Sequence, residues 1–147
     1  MNRPSKDEYF MGIAKLVAKR STCVRREVGC VIVDENYRIM STGHNGVPPK
    51  VEHCTDKPCK GATCASGTGL DLCRATHAEI NALLFCGDIT KVYKVYTTLM
   101  PCIQCIKAIL TSNCKEILYS QGYNTDNDEE IRKLCSYKGV ILKYVIG

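Results

Sequence analysis

The sequence predicts an α/β domain: a layer of strands joined by crossover helices. Three observations point there. β-branched runs alternate with helical periodicities, above all after residue 76. The chain has 147 residues, which suits one domain over 1–147 with a single core. Apolar residues make up 45% and charged ones 24%, a globular balance, and no apolar run approaches the roughly 20 residues that cross a bilayer.

Taken in order, Phe10, Ile13, Ala14, Leu16 and Val17 recur at helical spacing between Asp7 and Arg20. Val28 to Val33 is a β-branched run and reads as a strand. An Asp34-Glu35-Asn36 turn leads into a second strand through Ile39 and Met40, which predicts a hairpin. From about Gly43 to Ala75 the chain is crowded with Gly, Pro, Cys and Thr and shows no period. So long an irregular stretch implies a function or an internal staple, and about 47–75 reads as a Cys-rich insertion. His77 to Cys86 then reads as a helix with Ile80, Leu83 and Leu84 facing inward. Val92 to Leu99 follows as a strand, Cys102 to Thr111 as a helix and Glu116 to Ser120 as a strand. Asn127 to Lys138 is a helix whose opening acids, Asp128, Glu129 and Glu130, suit its positive end, and Val140 to Ile146 is the last strand. There are no internal repeats.

Eleven cysteines are the compositional anomaly. The segment Met1 to Glu8 lacks the apolar stretch of an export signal, so the expected compartment is the cytosol, or the host cytoplasm for a viral chain. An odd count in a reducing compartment argues for metal ligands and core thiols rather than disulfides. Cys30 and Cys114 sit in or beside apolar runs, and Cys86 and Cys135 lie on apolar helix faces. All four read as small buried hydrophobes. A net charge of +5 is compatible with a phosphorylated small molecule or with nucleic acid and does not choose between them.

The chemistry concentrates in two segments, His77-Ala78-Glu79 and Pro101-Cys102-Ile103-Gln104-Cys105, each opening a predicted helix with a strand between them. An imidazole and two thiolates fill three of zinc's four tetrahedral positions, and a catalytic zinc keeps the fourth for water. The Cys-x-x-Cys spacing sets both sulfurs at the positive end of a helix, where thiolates are favoured. Pro101 fits the first-turn preference for proline. Glu79, two residues beyond His77, cannot share the direction of the histidine, so it suits a general acid/base rather than a ligand. Zn²⁺, two thiolates and a neutral imidazole sum to about zero, a centre able to acidify water. Either motif alone is weak. In this order and context they match the signature of zinc-dependent base deaminases.

The sequence resembles the cytidine deaminase superfamily, and within it the deoxycytidylate (dCMP) deaminases of bacteria and their phages. The residues behind the resemblance are Arg20 to Cys23, Val28 to Val33, Gly43-His44-Asn45-Gly46-Val47-Pro48, Cys73 to Ala82 and Tyr96 to Cys105. The family usually has tyrosine where this chain has His44. The resemblance implies a three-layer α/β/α sandwich around a central mixed five-stranded sheet. It implies hydrolysis of dCMP to dUMP, with Glu79 relaying protons from the attacking water to ring N3 and then to the departing amine. Asn45 would touch the nucleotide, and Tyr123 sits where the family often places a residue near the substrate. Arg25 and Arg26 are candidates for the 5′-phosphate, or remain solvated surface charges. The family implies a homo-hexamer, activated by dCTP (with Mg²⁺ on the triphosphate) and inhibited by dTTP, with Gly43, Asn45 and Gly46 in the effector site.

The resemblance also implies a second, structural zinc on cysteines matching Cys23, Cys54 and Cys73; Cys59, in the same irregular stretch, is the favoured fourth ligand, with His53 or Cys64 as a substitute. No membrane or nucleic-acid partner is expected, since the charges are dispersed rather than clustered. Two alternatives stand beside this reading. One is another deaminase of the same fold, acting on dCTP, a nucleoside or a tRNA adenosine. The other is a zinc-stapled binding module, for which Glu79 would have no use.

Overall fold

The expected alternation of strand and helix is present in a computed structural model that describes residues 2–65, 73–122 and 127–146. Helix α1 (Lys6–Ala18) is followed by β1 (Gly29–Val33), β2 (Ile39–His44), α2 (Ala78–Leu84), β3 (Lys94–Thr97), α3 (Ile103–Thr111), β4 (Glu116–Tyr119), α4 (Asp128–Lys138) and β5 (Ile141–Tyr144). The start of α1 follows from its sequence. Ser5 Oγ accepts from the Glu8 backbone N–H at 3.1 Å, and Asp7 and Glu8 lie in the first turn beside the positive helix end.

The five strands form one sheet in the order β2-β1-β3-β4-β5. β1 runs antiparallel to both β2 and β3, while β3, β4 and β5 are mutually parallel along the sheet. Parallel neighbours need crossovers, and α3 and α4 supply them. All of β1 is buried because both of its faces are covered. Cys30 and Ile32 point into a core shared with α2, α3 and α4, whereas Val31 and Val33 point into a smaller core with Phe10, Met11 and Ala14 of α1. This is the three-layer sandwich with a mixed sheet. Among the described residues no helix is long and apolar enough to cross a membrane.

Two helix faces differ from the sequence expectation. Leu16 is 66% exposed and Leu84 69% exposed. Each lies two positions from a buried alanine (Ala14 and Ala18 in α1, Ala82 in α2), hence on the far side of its helix. The inner face of α2 is made instead by Ala78 and Ala82, with Ile80 and Leu83 half-buried. Cys86 lies beyond the end of α2 but is buried as expected, as are Cys30, Cys114 and Cys135.

Small residues on α2 let it lie directly on the backbone of β2. A Cβ on Gly43 would stand 2.3 Å from Ala78 O and 2.5 Å from Ala82 N, which no side-chain rotation relieves. Gly29 meets α1 in the same way, at Ala14 O and Ala18 N. Gly43→Ala is therefore expected to destabilise the protein by about 1–3 kcal/mol. Gly12→Ala, where nothing lies within 4 Å, should leave stability unchanged or raise it. Thermal unfolding of the two variants beside the parent checks the contrast.

Candidate active site

The helices that begin at α2 and α3 lie side by side, and the residue capping each start faces the other. His77 is the N-cap of α2 and Cys102 the N-cap of α3, both in extended conformation, and neither side chain caps its own helix. Pro101 therefore stands just before the cap rather than in the first turn. His77 Nδ1 lies 3.5 Å from Cys102 Sγ and 3.3 Å from Cys105 Sγ. The three donor atoms all fall within 4.8 Å of one another, the only such group among the described residues. Tetrahedral zinc with Zn–N of about 2.1 Å and Zn–S of about 2.3 Å sets N and S about 3.5 Å apart. The donor set fits zinc.

The local electrostatics prepare the sulfurs. The hydrogen bond with Cys105, joined by His77, pushes the Cys102 thiol down to about 4, so it is a thiolate at neutral pH. The same contact and burial hold the Cys105 thiol up, leaving a proton that a divalent cation displaces. His77 is held above its usual value, first by its hydrogen bond with Cys102.

Glu79 is 4% exposed and stands outside that donor group. Its Oε1 accepts a hydrogen bond from Thr97 Oγ1 at 2.8 Å. Burial raises its carboxyl above the usual range, with Thr97 and Cys105 pulling partly the other way. Glu79, His77 and Cys102 share the wall of a cavity of about 90 Å³, which Val28, Ala75, Leu99 and Met100 also line. An acid that is buried, unligated and beside the metal donors is equipped to carry protons.

Asn45 also lines this cavity, but its amide is bonded to the backbone. Oδ1 accepts from Val28 N at 2.9 Å, and Nδ2 donates to Arg26 O at 2.8 Å. Gly46 pairs with Thr76 through two backbone hydrogen bonds, and Asn81 Nδ2 donates to His44 O, so the 43–46 loop is tied to the residues around His77. Arg25 and Arg26 line both this cavity and an adjoining cleft of about 510 Å³. Arg25 Nη2 donates to Ala65 O at 2.8 Å, while its buried Nη1 has no hydrogen-bond partner among the described residues. Tyr123 lies outside the described residues.

The Cys-rich segment is partly gathered. Cys54 and Cys59 are buried with their sulfurs 3.4 Å apart. Burial raises the Cys59 thiol, but hydrogen bonds from the backbone of Arg74 and Gly61 and from the thiols of Cys54 and Cys73 bring it down to about 7. Cys73 is pushed up to about 11, first by burial, then by the charges of Cys23 and Cys59. Cys59 thus bonds to both Cys54 and Cys73, and Cys23 is near enough for its charge to act on Cys73, but the four do not close as tightly as the His77 group. Neither substitute ligand is prominent: Cys64 only approaches Lys60 O at 3.9 Å, and His53 is exposed. Sequence reasoning missed Thr97, which looks like any β-branched strand residue.

Residues 4–135 match the family described as the cytidine and deoxycytidylate deaminase zinc-binding region. The chain is 42% identical to the deoxycytidylate deaminase of Schizosaccharomyces pombe over 98% of its own length and 45% of that protein. It is 38% identical to the deoxycytidylate deaminase of Mycobacterium phage D29, covering 81% of this chain and 97% of the phage protein. It thus spans about half the length of the yeast relative and nearly all of the phage one. A crystal structure of dCMP deaminase from the cyanophage S-TIM5 in apo form superposes with a TM-score of 0.71 at 26% identity, covering 97% of this chain and 99% of that one. A match spanning 4–135 leaves out only the two ends, and the chain belongs to the cytidine and deoxycytidylate deaminase zinc-binding family.

Proposed function

We propose that this chain hydrolyses dCMP to dUMP and ammonia, with zinc held by His77, Cys102 and Cys105. The observation that carries the reading is the convergence of these three donors beside a buried, unligated Glu79. Relatives named deoxycytidylate deaminase support the choice of substrate. Zinc, when bound, supplies the Lewis acid that makes a water nucleophilic at neutral pH. Glu79 takes one proton from the attacking water and passes it to ring N3. It then takes the second from the hydroxyl left on C4 and gives it to the amine, which departs as ammonia while C4 becomes a carbonyl. Its burial keeps these protons out of bulk solvent. Arg25 and Arg26 take the 5′-phosphate, since the cleft they line adjoins the cavity and Arg25 has a guanidinium nitrogen with no partner among the described residues. Asn45 holds the cavity wall beside the sugar.

Ammonia release from cytosine, deoxycytidine, dCMP, dCTP and tRNA tests this. Losing charge-assisted bonds worth about 1.5–3 kcal/mol each should make kcat/KM for deoxycytidine at least about tenfold lower than for dCMP. A preference for tRNA or a free base rejects the reading. Regulation by dCTP with Mg²⁺ and by dTTP at the Gly43-His44-Asn45-Gly46 loop, in a hexamer, belongs to the same proposal. It rests on the family resemblance, and a turnover of dCMP that responds to neither nucleotide rejects it.

A second zinc on Cys23, Cys54, Cys59 and Cys73 would staple the irregular segment, whose polar backbone has little core of its own. The contact between Cys54 and Cys59 and the lowered Cys59 thiol support it. Metal analysis is expected to return two zincs per chain, and one zinc with turnover retained in Cys54→Ser. A single zinc in the parent rejects the second site alone.

A further inference from the structure

Thr97 is the last residue of β3 and is fully buried at the centre of the sheet, paired with Cys30 on one side and Tyr119 on the other. Strand alternation sends Tyr96 toward α1 and sends Val95 and Thr97 toward α2. Packing alone gives no reason for a hydroxyl there. Valine has the same shape and an equal liking for strands, and an unbonded buried hydroxyl costs about 1–3 kcal/mol. The hydroxyl is fully used, however. Oγ1 lies 2.8 Å from Glu79 Oε1 and 3.1 Å from Leu99 O. One hydroxyl has a single proton and two lone pairs. With the Leu99 carbonyl as a second acceptor, Thr97 stays bonded to the carboxyl whichever of the two donates.

We propose that Thr97 is a positioning residue for Glu79, its hydroxyl fixing one carboxyl oxygen so that the other is presented to the cavity beside the metal donors. This rests on the reading of Glu79 as the proton carrier. Glu79 begins a short helix, and its oxygen has no other side-chain hydroxyl or amide bonded to it among the described residues. The Cys105 thiol also bonds to the carboxyl, but it gives up its proton on holding a metal. Thr97 is then the side chain among the described residues that keeps the carboxyl from rotating away from the bond that has to break. A positioning role of this kind acts on the chemical step and not on nucleotide binding.

The test uses the zinc-loaded protein with Thr97→Val, which keeps the shape, and Thr97→Ser, which keeps the hydroxyl. Thr97→Val is expected to lower kcat for dCMP by about 10- to 100-fold, with KM within about twofold and zinc content unchanged. Thr97→Ser should stay within about threefold of the parent. A kcat for Thr97→Val within about twofold of the parent, an effect confined to KM, or a serine variant as poor as the valine one would each overturn the proposal. Unfolding midpoints give a readout independent of turnover. Thr97→Val should lower the midpoint in the parent and not in a Glu79→Ala background, and equal shifts in the two would overturn it. Should the parent be inert on the whole substrate panel, the dCMP reading fails, while the midpoints still decide whether Thr97 holds the carboxyl.

Discussion

Glu79→Ala is expected to reduce dCMP turnover by about 10⁴-fold while the protein keeps its zinc and its fold. In the proposed cycle the carboxyl carries both protons of the attacking water, so no part of the reaction escapes its loss. The zinc should stay, because Glu79 stands outside the group of donors that hold it. The fold should stay as well, since the carboxyl's bonds to Thr97 and Cys105 add little to an apolar core that already holds α2, β3 and α3 together. Metal content, circular dichroism and ammonia release on one preparation separate these expectations. Full activity in the variant would remove Glu79 from the mechanism.

Glu79→Gln carries a stability signature in the metal-free protein. Burial raises the folded carboxyl above its ordinary value of 4.5, so the folded state binds that proton more tightly than the unfolded one. Stability is then highest at low pH and is lost as pH rises through the raised folded value. At neutral pH the glutamine variant should therefore unfold at a higher temperature than the parent, with the gap closing as pH falls toward 4.5.

The second large effect is expected from Cys105→Ser. Cys105 is 1% exposed and lies closest to His77 Nδ1, at 3.3 Å. Serine keeps the size but replaces a soft thiolate donor by a hydroxyl that stays protonated, and three donors become two. The variant should lose the catalytic zinc, and with it all turnover, while any metal held by Cys54 and Cys59 remains. Adding zinc to chelator-treated parent should restore activity; adding it to Cys105→Ser should not. Cys54→Ser is the mirror case, since it touches the other cluster and leaves the His77 group intact. A Cys105→Ser protein with full zinc and full turnover would break the assignment of the centre.

Much of this was legible because the signals are local. Every strand and helix lies where the hydrophobic period placed it, most of them trimmed at an end by one to three residues. β2 is the exception. It runs on to His44, into the stretch that read as irregular, because its ladder with β1 continues from Ile39 to His44. Leu84 was assigned to the wrong side, and Leu16 counted toward the period of α1 without facing the core, because periodicity counts apolar residues without knowing which face has a partner. The backbones that α1 and α2 approach demand small residues, so alanines and not leucines face inward. Gly43 read as an effector residue from its loop, and its demonstrable constraint is the helix lying on top of it.

What the sequence determined was chemical and local: the kinds of donor, their spacing, and that each set opens a helix. Only the tertiary structure decided that His77 meets Cys102 and Cys105, that Thr97 lies against Glu79, and that Arg25 and Arg26 share a wall with them. The physical reason is sequence separation. Residues 25 apart come within 3.5 Å only because β1 lies between β2 and β3, so that α2 and α3 pack across the same face of one sheet. Nothing in either segment alone encodes that arrangement.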